Sequence, residues 1–267
     1  METIYNTIGT SYNATRQADP FLVGRLLHFL EPKPDKLYLD IGCGTGNYTI
    51  ALANQGLDFV GVEPSEAMLK EARKRNERIT WLQGTAEQIP VEDNSFDSAI
   101  ATLTIHHWAN LNQSLKEIYR ATKLGARLVI FTATRQQMEG YWLNHYFPGM
   151  LSSAIAQMPS FDLINDALTK AGFEIATTEK YFVKDDLQDN FLYTGKHRPA
   201  LYLNEEIRKG ISSFAALSNA TEVEAGLSKL HADLESGQFI NIKKTYENDL
   251  GDYLFIVAER KTAIPVI

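Results

Sequence analysis

The chain has 267 residues, of which 44% are hydrophobic, which is enough to bury one large core together with an appended subdomain. Its formal net charge of −7 disfavours a broad phosphate-binding surface, so a nucleic-acid partner is not expected. No apolar run approaches the roughly 20 residues that span a bilayer, and residues 1–5 lack a signal pattern, so we expect a cytoplasmic protein without a membrane partner.

The first predicted elements lead into a glycine-rich turn. A helix is expected over residues 18–30 and a short apolar strand over residues 37–41. The strand runs into a turn with glycine at positions 42, 44 and 46. Gly42, Gly44 and Gly46 can adopt positive φ and carry no Cβ, so a ligand can lie against the backbone there. A dinucleotide-binding fingerprint would read G-x-G-x-x-G, whereas this run reads G-x-G-x-G.

Asp40, two residues before the first of these glycines, indicates the chemistry of the ligand. An acid at this place suits a ligand that carries a positive charge, and it would repel a pyrophosphate. The alternative is that Asp40 only caps the turn or the helix that follows. Cys43 is the only cysteine, which excludes an internal disulfide, and we expect it to pack as a small residue within the turn.

A second acid, Glu63, follows the next predicted strand, which covers residues 58–62. Ser65 can then cap a helix that extends through residue 76. An acid at the tip of the second strand can accept hydrogen bonds from both hydroxyls of a ribose. Because NAD enzymes use the same device, Glu63 indicates a ribose-bearing cofactor without deciding which one.

Three more apolar segments predict the next strands of the sheet. They cover residues 79–83, 95–101 and 124–131, and a helix over residues 112–123 precedes the last of them. This alternation of strands and helices is typical of a parallel sheet with helices on both faces. A short loop over residues 84–90 follows the first of the three strands.

Five segments in this order resemble the motifs of class I S-adenosylmethionine (SAM)-dependent methyltransferases, in particular the small-molecule, methyltransferase type 11-like group. Thr85 stands where the family usually has Asp, and Glu87 follows two places later, so the side chain that meets the adenine amino group is left open between them. The five segments are L-D-I-G-C-G-T-G at 39–46, the acid at 63, G-T-A-E-Q-I-P at 84–90, S-F-D-S-A-I-A at 95–101 and L-G-A-R-L-V-I-F at 124–131.

The resemblance implies an α/β fold, doubly wound and Rossmann-like, with a seven-stranded sheet in the order 3-2-1-4-5-7-6 and strand 7 antiparallel. It implies SAM as the cofactor and methyl transfer to a small, partly apolar acceptor on oxygen, nitrogen or carbon. The residues it predicts for cofactor binding are Tyr12, Arg16, Asp40, Gly42, Gly44, Gly46, Glu63, Pro64, Thr85, Ala86, Glu87, Thr102 and Leu103.

The leader over residues 5–16 is the first departure from the minimal fold. In relatives with a similar leader, tyrosines and a following basic residue fold over the cofactor. Tyr12 and Arg16 are therefore predicted to close the pocket, with Arg16 pairing with the methionyl carboxylate. A surface helix with an exposed arginine is an equally weighted alternative.

Two later segments are predicted to select the acceptor. The connection over residues 135–159 is longer than most loops and rich in aromatic residues, which is typical of a functional loop. Residues 185–238 form a helical insertion, with apolar stripes over 205–217 and 222–234, which we interpret as a lid, with dimerisation as the rival. The SAM-binding domain is then 1–184 and 239–267, and the protein is a monomer or a homodimer.

Other functions compete with methyl transfer. A non-catalytic SAM-binding module remains open, because every motif above serves cofactor binding. An NAD-dependent oxidoreductase is suggested only by Tyr119 and Lys123, a Y-x-x-x-K match of a kind that arises by chance. No cluster of cysteine, histidine and carboxylate residues has metal-ligand spacing, so no metal is predicted. His106 and His107, after the fourth strand, are candidates for a general base, and the catalytic residue stays undecided.

Overall fold

Seven strands form one sheet in the computed structural model, which describes residues 15–261. The strand order is β3-β2-β1-β4-β5-β7-β6, and β7 runs antiparallel to both β5 and β6. This confirms the predicted fold and topology. The strands are β1 (Leu37–Ile41), β2 (Asp58–Glu63), β3 (Thr80–Gln83), β4 (Phe96–Thr102), β5 (Thr122–Thr132), β6 (Phe173–Tyr181) and β7 (Tyr253–Arg260).

The helices lie between these strands and on both faces of the sheet. None of the helices that the structure describes is long and apolar enough to cross a membrane. They are α1 (Pro20–Leu30), α2 (Asn47–Ala53), α3 (Glu66–Arg75), α4 (Leu111–Ala121), α5 (Arg135–Glu139), α6 (Pro148–Gln157), α7 (Phe161–Ala171), α8 (Glu205–Lys209), α9 (Ser212–Ala216), α10 (Ala220–Ser236) and α11 (Phe239–Thr245).

Side-chain caps fix where several of these helices begin. Asp19 accepts from the backbone of Leu22 at the start of α1, where Pro20 occupies the first helical position. The predicted cap Ser65 is confirmed, and both Ser65 and Ser160 accept a backbone N–H from three residues further on. α7 ends at Gly172, whose φ of 96° closes the helix in the left-handed region.

The boundary between α4 and β5 differs from the sequence prediction, which extended the helix to residue 123. α4 ends at Ala121, and Thr122 already pairs with Phe96 of β4. The hydroxyl of Thr122 donates to the carbonyl of Ile118 at 2.8 Å and to that of Tyr119, one of the last carbonyls of the helix, at 3.3 Å. A β-branched residue at this point favours the strand over another helical turn.

Two apolar clusters lie on opposite faces of the central strands. On one face, Leu128 and Ile130 of β5 pack with α4 and α7. On the other face, Val129 and Phe131 pack with α1 and continue into aromatic residues that follow β5. The second cluster also contains Phe191, Tyr202 and Phe214 from the predicted insertion, so the insertion covers the carboxyl end of β5.

The segments predicted to select the acceptor are more helical than the sequence indicated. The connection over residues 135–159, predicted as a loop, contains α5, a 3₁₀ turn over Trp142–His145 and α6. The predicted helix over 205–217 is broken into α8 and α9 at Gly210, where a Cβ would collide with the hydroxyl of Thr15. The short helix α11 was not predicted.

Candidate functional site

The glycine turn lies at the carboxyl end of β1 and is folded back onto β2. The backbone N–H groups of Gly42 and Cys43 both donate to the carbonyl of Val62, at 2.8 and 3.1 Å. Gly42, Gly44 and Gly46 have φ of 72°, 55° and 78°, so all three adopt the left-handed conformation that favours glycine. The predicted backbone of this turn is therefore confirmed.

The three glycines differ in what surrounds them. A Cβ on Gly42 would collide with the hydroxyl of Thr104, and one on Gly46 would collide with the ring of Trp81. A Cβ on Gly44 would meet no heavy atom of the described residues within 4 Å, so this glycine faces open space. Packing within the protein thus requires two of the glycines, and the third leaves room for a ligand against the backbone.

Substitution Gly42→Ala is expected to destabilise the fold by about 2 to 5 kcal/mol, the sum of left-handed strain and overpacking against Thr104. Gly24→Ala is the matched control, because Gly24 lies in α1 and a Cβ there would meet no described atom within 4 Å. We expect that control to gain about 0.5 to 1 kcal/mol. Urea unfolding followed by circular dichroism measures both changes, and equal stability of the two variants would contradict the collision.

Asp40 lies beneath the glycine turn and is almost completely buried, with 3% of its surface exposed. Its Oδ2 accepts a hydrogen bond from the hydroxyl of Thr49 at 2.6 Å. Burial raises the pKa of Asp40 from 3.8 to about 7, against the opposing effect of the Thr49 hydrogen bond and with a smaller contribution from the Glu63 carboxylate. This carboxyl group is therefore poised to ionise when a positive charge comes near it.

Glu63 connects the tip of β2 to the glycine turn. Its Oε2 accepts from the N–H of Gly44 at 3.1 Å, and its Oε1 accepts from the N–H of Ser65 at 3.0 Å. Only 6% of the residue is exposed, and burial raises the pKa of its carboxyl group. Pro64 follows it, and its carbonyl accepts from Gln83 of β3 at 3.2 Å. Glu63 therefore positions the backbone of the turn besides being a predicted ribose ligand.

The loop after β3 carries Thr85 and Glu87, the two candidates for contact with an adenine. Glu87 is held at the start of α4, where its Oε1 accepts from the N–H of Asn110 at 3.1 Å and from the hydroxyl of Ser114 at 3.2 Å. Thr85 is exposed, and Ala86 beside it is buried. These hydrogen bonds engage the Glu87 carboxylate within the protein, and contact of either Thr85 or Glu87 with an adenine stays a prediction.

The end of β4 has a strained backbone next to this turn. Leu103 has a φ of 53°, which is uncommon for a residue with a branched side chain, and its N–H donates to the carbonyl of Phe131 at 2.8 Å. Within residues 15–261, the buried hydroxyl of Thr102 and the Nδ1 of His106 have no hydrogen-bond partner. Strain and unpaired polar atoms at one strand end are typical of a binding site.

His106 and His107 form a 3₁₀ turn with Ile105 directly after β4, and their ring centroids are 3.9 Å apart. Burial lowers the pKa of His106 well below 6.5, and the neighbouring imidazole of His107 lowers it further. His106 is therefore neutral at pH 7 and a weak base.

Arg16 lies against a residue that the sequence analysis missed. Its Nε donates to Oδ1 of Asp189 at 2.5 Å and its Nη2 to Oδ2 of the same carboxylate at 3.2 Å. The hydroxyl of Tyr48, in the first turn of α2, donates to that Oδ2 at 3.0 Å. Arg16 is thus not an exposed surface arginine, because only 11% of its side chain is accessible. The other leader residue, Tyr12, lies outside the described residues.

No group of three or more metal-binding side chains lies together in the part of the chain that the structure describes. The described residues of the site therefore consist of a glycine turn, two buried acids and the end of β4. The predicted cofactor residues Asp40, Gly42, Gly44, Gly46 and Glu63 come together around the turn. Thr85, Ala86, Thr102 and Leu103 lie at the ends of the neighbouring strands.

Comparisons with known proteins agree with this arrangement. The sequence model of a family described as "Methyltransferase domain" matches residues 39–130, which include the turn and both acids. The crystal structure of a protein from Anabaena variabilis, named as a methyltransferase from an antibiotic biosynthesis pathway, is 36% identical with a TM-score of 0.82. That match covers 93% of this chain and 99% of the other.

Curated relatives match over shorter stretches. An uncharacterized methyltransferase of Mycobacterium tuberculosis is 33% identical over 135 residues, which are 51% of this chain and 55% of the relative. A demethylmenaquinone methyltransferase of Paenarthrobacter aurescens is 34% identical over 101 residues, 38% of this chain and 40% of the relative. The chain thus spans about half the length of the curated relatives it matches first.

Proposed function

Because the chain belongs to the class I SAM-dependent methyltransferase family, we propose that it transfers the methyl group of SAM to a small, partly apolar acceptor. The observation that carries this proposal is the glycine turn, in which Gly44 faces open space and donates its N–H to the buried Glu63, while the buried Asp40 precedes the turn. One acid suits a cationic amino acid and the other suits a ribose, and SAM contains both groups.

The residues of the site fit the cofactor in kind and in order. We assign Asp40 to the ammonium end, Glu63 to the ribose, and Thr85 with Ala86 to the adenine. Thr102 offers a buried hydroxyl without a partner among the described residues, at the strand end beside the turn. Bound SAM supplies a methyl group on a positively charged sulfur.

This chain's own contribution to the reaction is mainly to position the reactants. Methyl transfer from a sulfonium is an in-line displacement, and holding two reactants in line can remove much of the barrier. A general base is needed only where the acceptor carries a proton that must leave. His106 and His107, which follow β4, are the two candidates for that role.

The acceptor is proposed to be small and partly apolar because of what covers the end of β5. Phe131 at that end packs against Phe191, with ring centroids 6.2 Å apart, and against Tyr253 at 5.4 Å. Aromatic side chains from the insertion and from β7 thus pack against the end of β5, next to the cofactor residues. The net charge of −7 argues against a nucleic-acid acceptor.

Calorimetry with the purified protein tests the cofactor. S-adenosylhomocysteine (SAH) and SAM are expected to bind, and NAD is not, because a pyrophosphate would lie beside the acid of Asp40. Binding of NAD without heat from SAM or SAH would overturn the proposal. Release of SAH in the presence of a metabolite extract and labelled SAM then separates an enzyme from a non-catalytic binding module, which would bind SAM and release none.

Cofactor affinity is expected to depend on pH through Asp40, whose pKa of about 7 lies far above its ordinary 3.8. The ammonium group of SAH favours the ionised carboxylate, so the affinity for SAH should rise with pH and level off above the pKa. Between about pH 6 and about pH 8 the rise should be about tenfold, since the ionised fraction changes by that factor. Asp40→Asn should bind SAH more weakly and without this rise, as calorimetry across the range would measure.

The same raised pKa has the opposite effect on folding, because it makes the contribution of Asp40 to stability fall as pH rises. Because the folded-state pKa of Asp40 is raised, the folded protein holds its proton between the unfolded value of 3.8 and about 7. The contribution of Asp40 to stability therefore falls as pH rises through this window.

A wild-type SAH affinity that is flat with pH would contradict the assignment of Asp40 to the positive end of the cofactor.

A further inference from the structure

Asp189 lies in the insertion, yet its carboxylate is bonded to residues from two distant parts of the chain. It accepts from Nε and Nη2 of Arg16 in the leader, and from the hydroxyl of Tyr48 in α2. The Asp189 side chain has no exposed surface. A fully buried carboxylate is tolerated when its charge is paired and its oxygens accept hydrogen bonds, and these three donors meet that requirement.

The residues on either side of Asp189 strengthen the contact with the leader. The N–H of Gln188 donates to Oδ2 of Asp19 at 3.0 Å, and Nδ2 of Asn190 donates to the carbonyl of Thr15 at 2.9 Å. Asp19 uses its other oxygen to cap α1. Three consecutive residues of the insertion therefore hold the segment that leads into α1.

Tyr48 extends this contact to the glycine turn. It is the second residue of α2, and the helix begins directly after Gly46. The next residue, Thr49, donates to Asp40 at 2.6 Å. Two adjacent residues of one helical turn thus bond to Asp189 on the insertion and to Asp40 under the turn. Displacement of α2 would disturb both carboxylates together.

We propose that Asp189 is a positioning residue that couples the insertion to the cofactor site through Tyr48 and Arg16. The proposal rests on the proposed function, because SAM or its product must bind at the turn. Binding there holds the start of α2 in place, and α2 in turn holds Asp189 and the segment around it. Coupling free energy is reciprocal, so an ordered insertion also strengthens cofactor binding. The acceptor site is then complete only when the cofactor is bound.

Hydrogen exchange of the full chain with and without SAH tests this coupling. In the wild type, SAH should slow exchange at residues 40–48 and also at residues 185–198. Asp189→Asn should keep the first effect, lose the second and weaken SAH binding tenfold or more. Asp186→Asn is the matched control, because Asp186 is exposed, lies in the same segment and changes the same charge. It should behave as the wild type does.

Tyr48→Phe keeps the proposal testable if the Asp189 variant does not fold. It removes only the hydroxyl that donates to Asp189 and leaves the ion pair with Arg16 in place. SAH affinity should fall about fivefold, and the protection of residues 185–198 by SAH should disappear. A merely structural role would lower the melting temperature and leave the SAH-induced protection intact.

The outcomes separate this inference from the proposed function. If the wild type gives neither heat nor protection at residues 40–48 with SAH, the proposed function fails. If SAH protects residues 40–48 but not 185–198, or if protection of 185–198 survives in both Tyr48→Phe and Asp189→Asn, the coupling is refuted and the function stands. Loss of protection in both variants together with its retention in Asp186→Asn supports Asp189 as the coupling residue.

Discussion

Replacement of residues 185–238 by a short glycine-serine linker is expected to prevent cooperative folding. The insertion contributes large buried side chains to the same apolar cluster as Phe131 of β5 and Trp142 of the following connection. Truncating one such side chain costs about 3 kcal/mol or more. Truncating four of them together would cost as much as the whole free energy of unfolding of an ordinary domain, about 5 to 15 kcal/mol. They are Phe191, Tyr202, Phe214 and Leu230.

Buried charges would add to that loss. Lys196 of the insertion pairs with Asp252, at 2.7 Å, and the Asp252 side chain is 8% exposed. Removing one partner of a buried ion pair leaves the other charge unpaired, which costs about 3 to 5 kcal/mol. Asp252 also accepts from the N–H of Val183, at 2.6 Å. We therefore expect the insertion to act as part of the folded core, so that its removal unfolds the domain.

Thermal and urea unfolding of the shortened chain, followed by near- and far-ultraviolet circular dichroism, measures this effect. We expect loss of the near-ultraviolet signal and binding of a hydrophobic dye. A shortened chain that unfolds in a single sharp transition would contradict the expectation. In that case its SAH affinity, turnover and oligomeric state would distinguish the two roles. Loss of turnover with an unchanged oligomeric state would indicate a lid, and retained turnover with a change from dimer to monomer would indicate a dimerisation element.

The sequence was sufficient for the sheet and the glycine turn because their signals are local. The strands are short apolar runs. The turn needs glycine where φ is positive, so the roles of Gly42 and Gly46 can be predicted from the sequence alone. The order of the strands came from the resemblance to a family. The cap Ser65 was predicted because a capping side chain acts within three residues.

Contacts between distant segments left no signal in the sequence. Arg16 and Asp189 are 173 positions apart, and no spacing rule connects an arginine to one aspartate among many. The hydrogen bonds of Glu87 to α4 were missed for the same reason, so Glu87 was interpreted from its place in a motif alone. The helices after β5 are short and interrupted by Gly140 and Pro148, and tertiary packing of their aromatic side chains fixes them.

Glu63→Ala is expected to weaken SAH binding by about 1.5 to 3 kcal/mol, the scale of a charged hydrogen-bond acceptor lost from a buried site. This corresponds to an increase of about 10- to 150-fold in Kd. The structure adds a second reason for the loss, because Glu63 also accepts from the N–H groups of Gly44 and Ser65. Without the carboxylate, the turn must be ordered by the ligand itself, which lowers affinity further.

Glu63→Gln separates these two effects of Glu63 on the site. Its amide oxygen can still accept from one backbone N–H, while its NH₂ group faces the other donor, so the shape is kept and one contact becomes unfavourable. Glu66→Gln is the control, because Glu66 lies in the first turn of α3 and is exposed on the surface. Calorimetry with SAH should rank the affinities as wild type and Glu66→Gln, then Glu63→Gln, then Glu63→Ala. An unchanged affinity in folded Glu63→Ala would place this carboxylate outside the cofactor site.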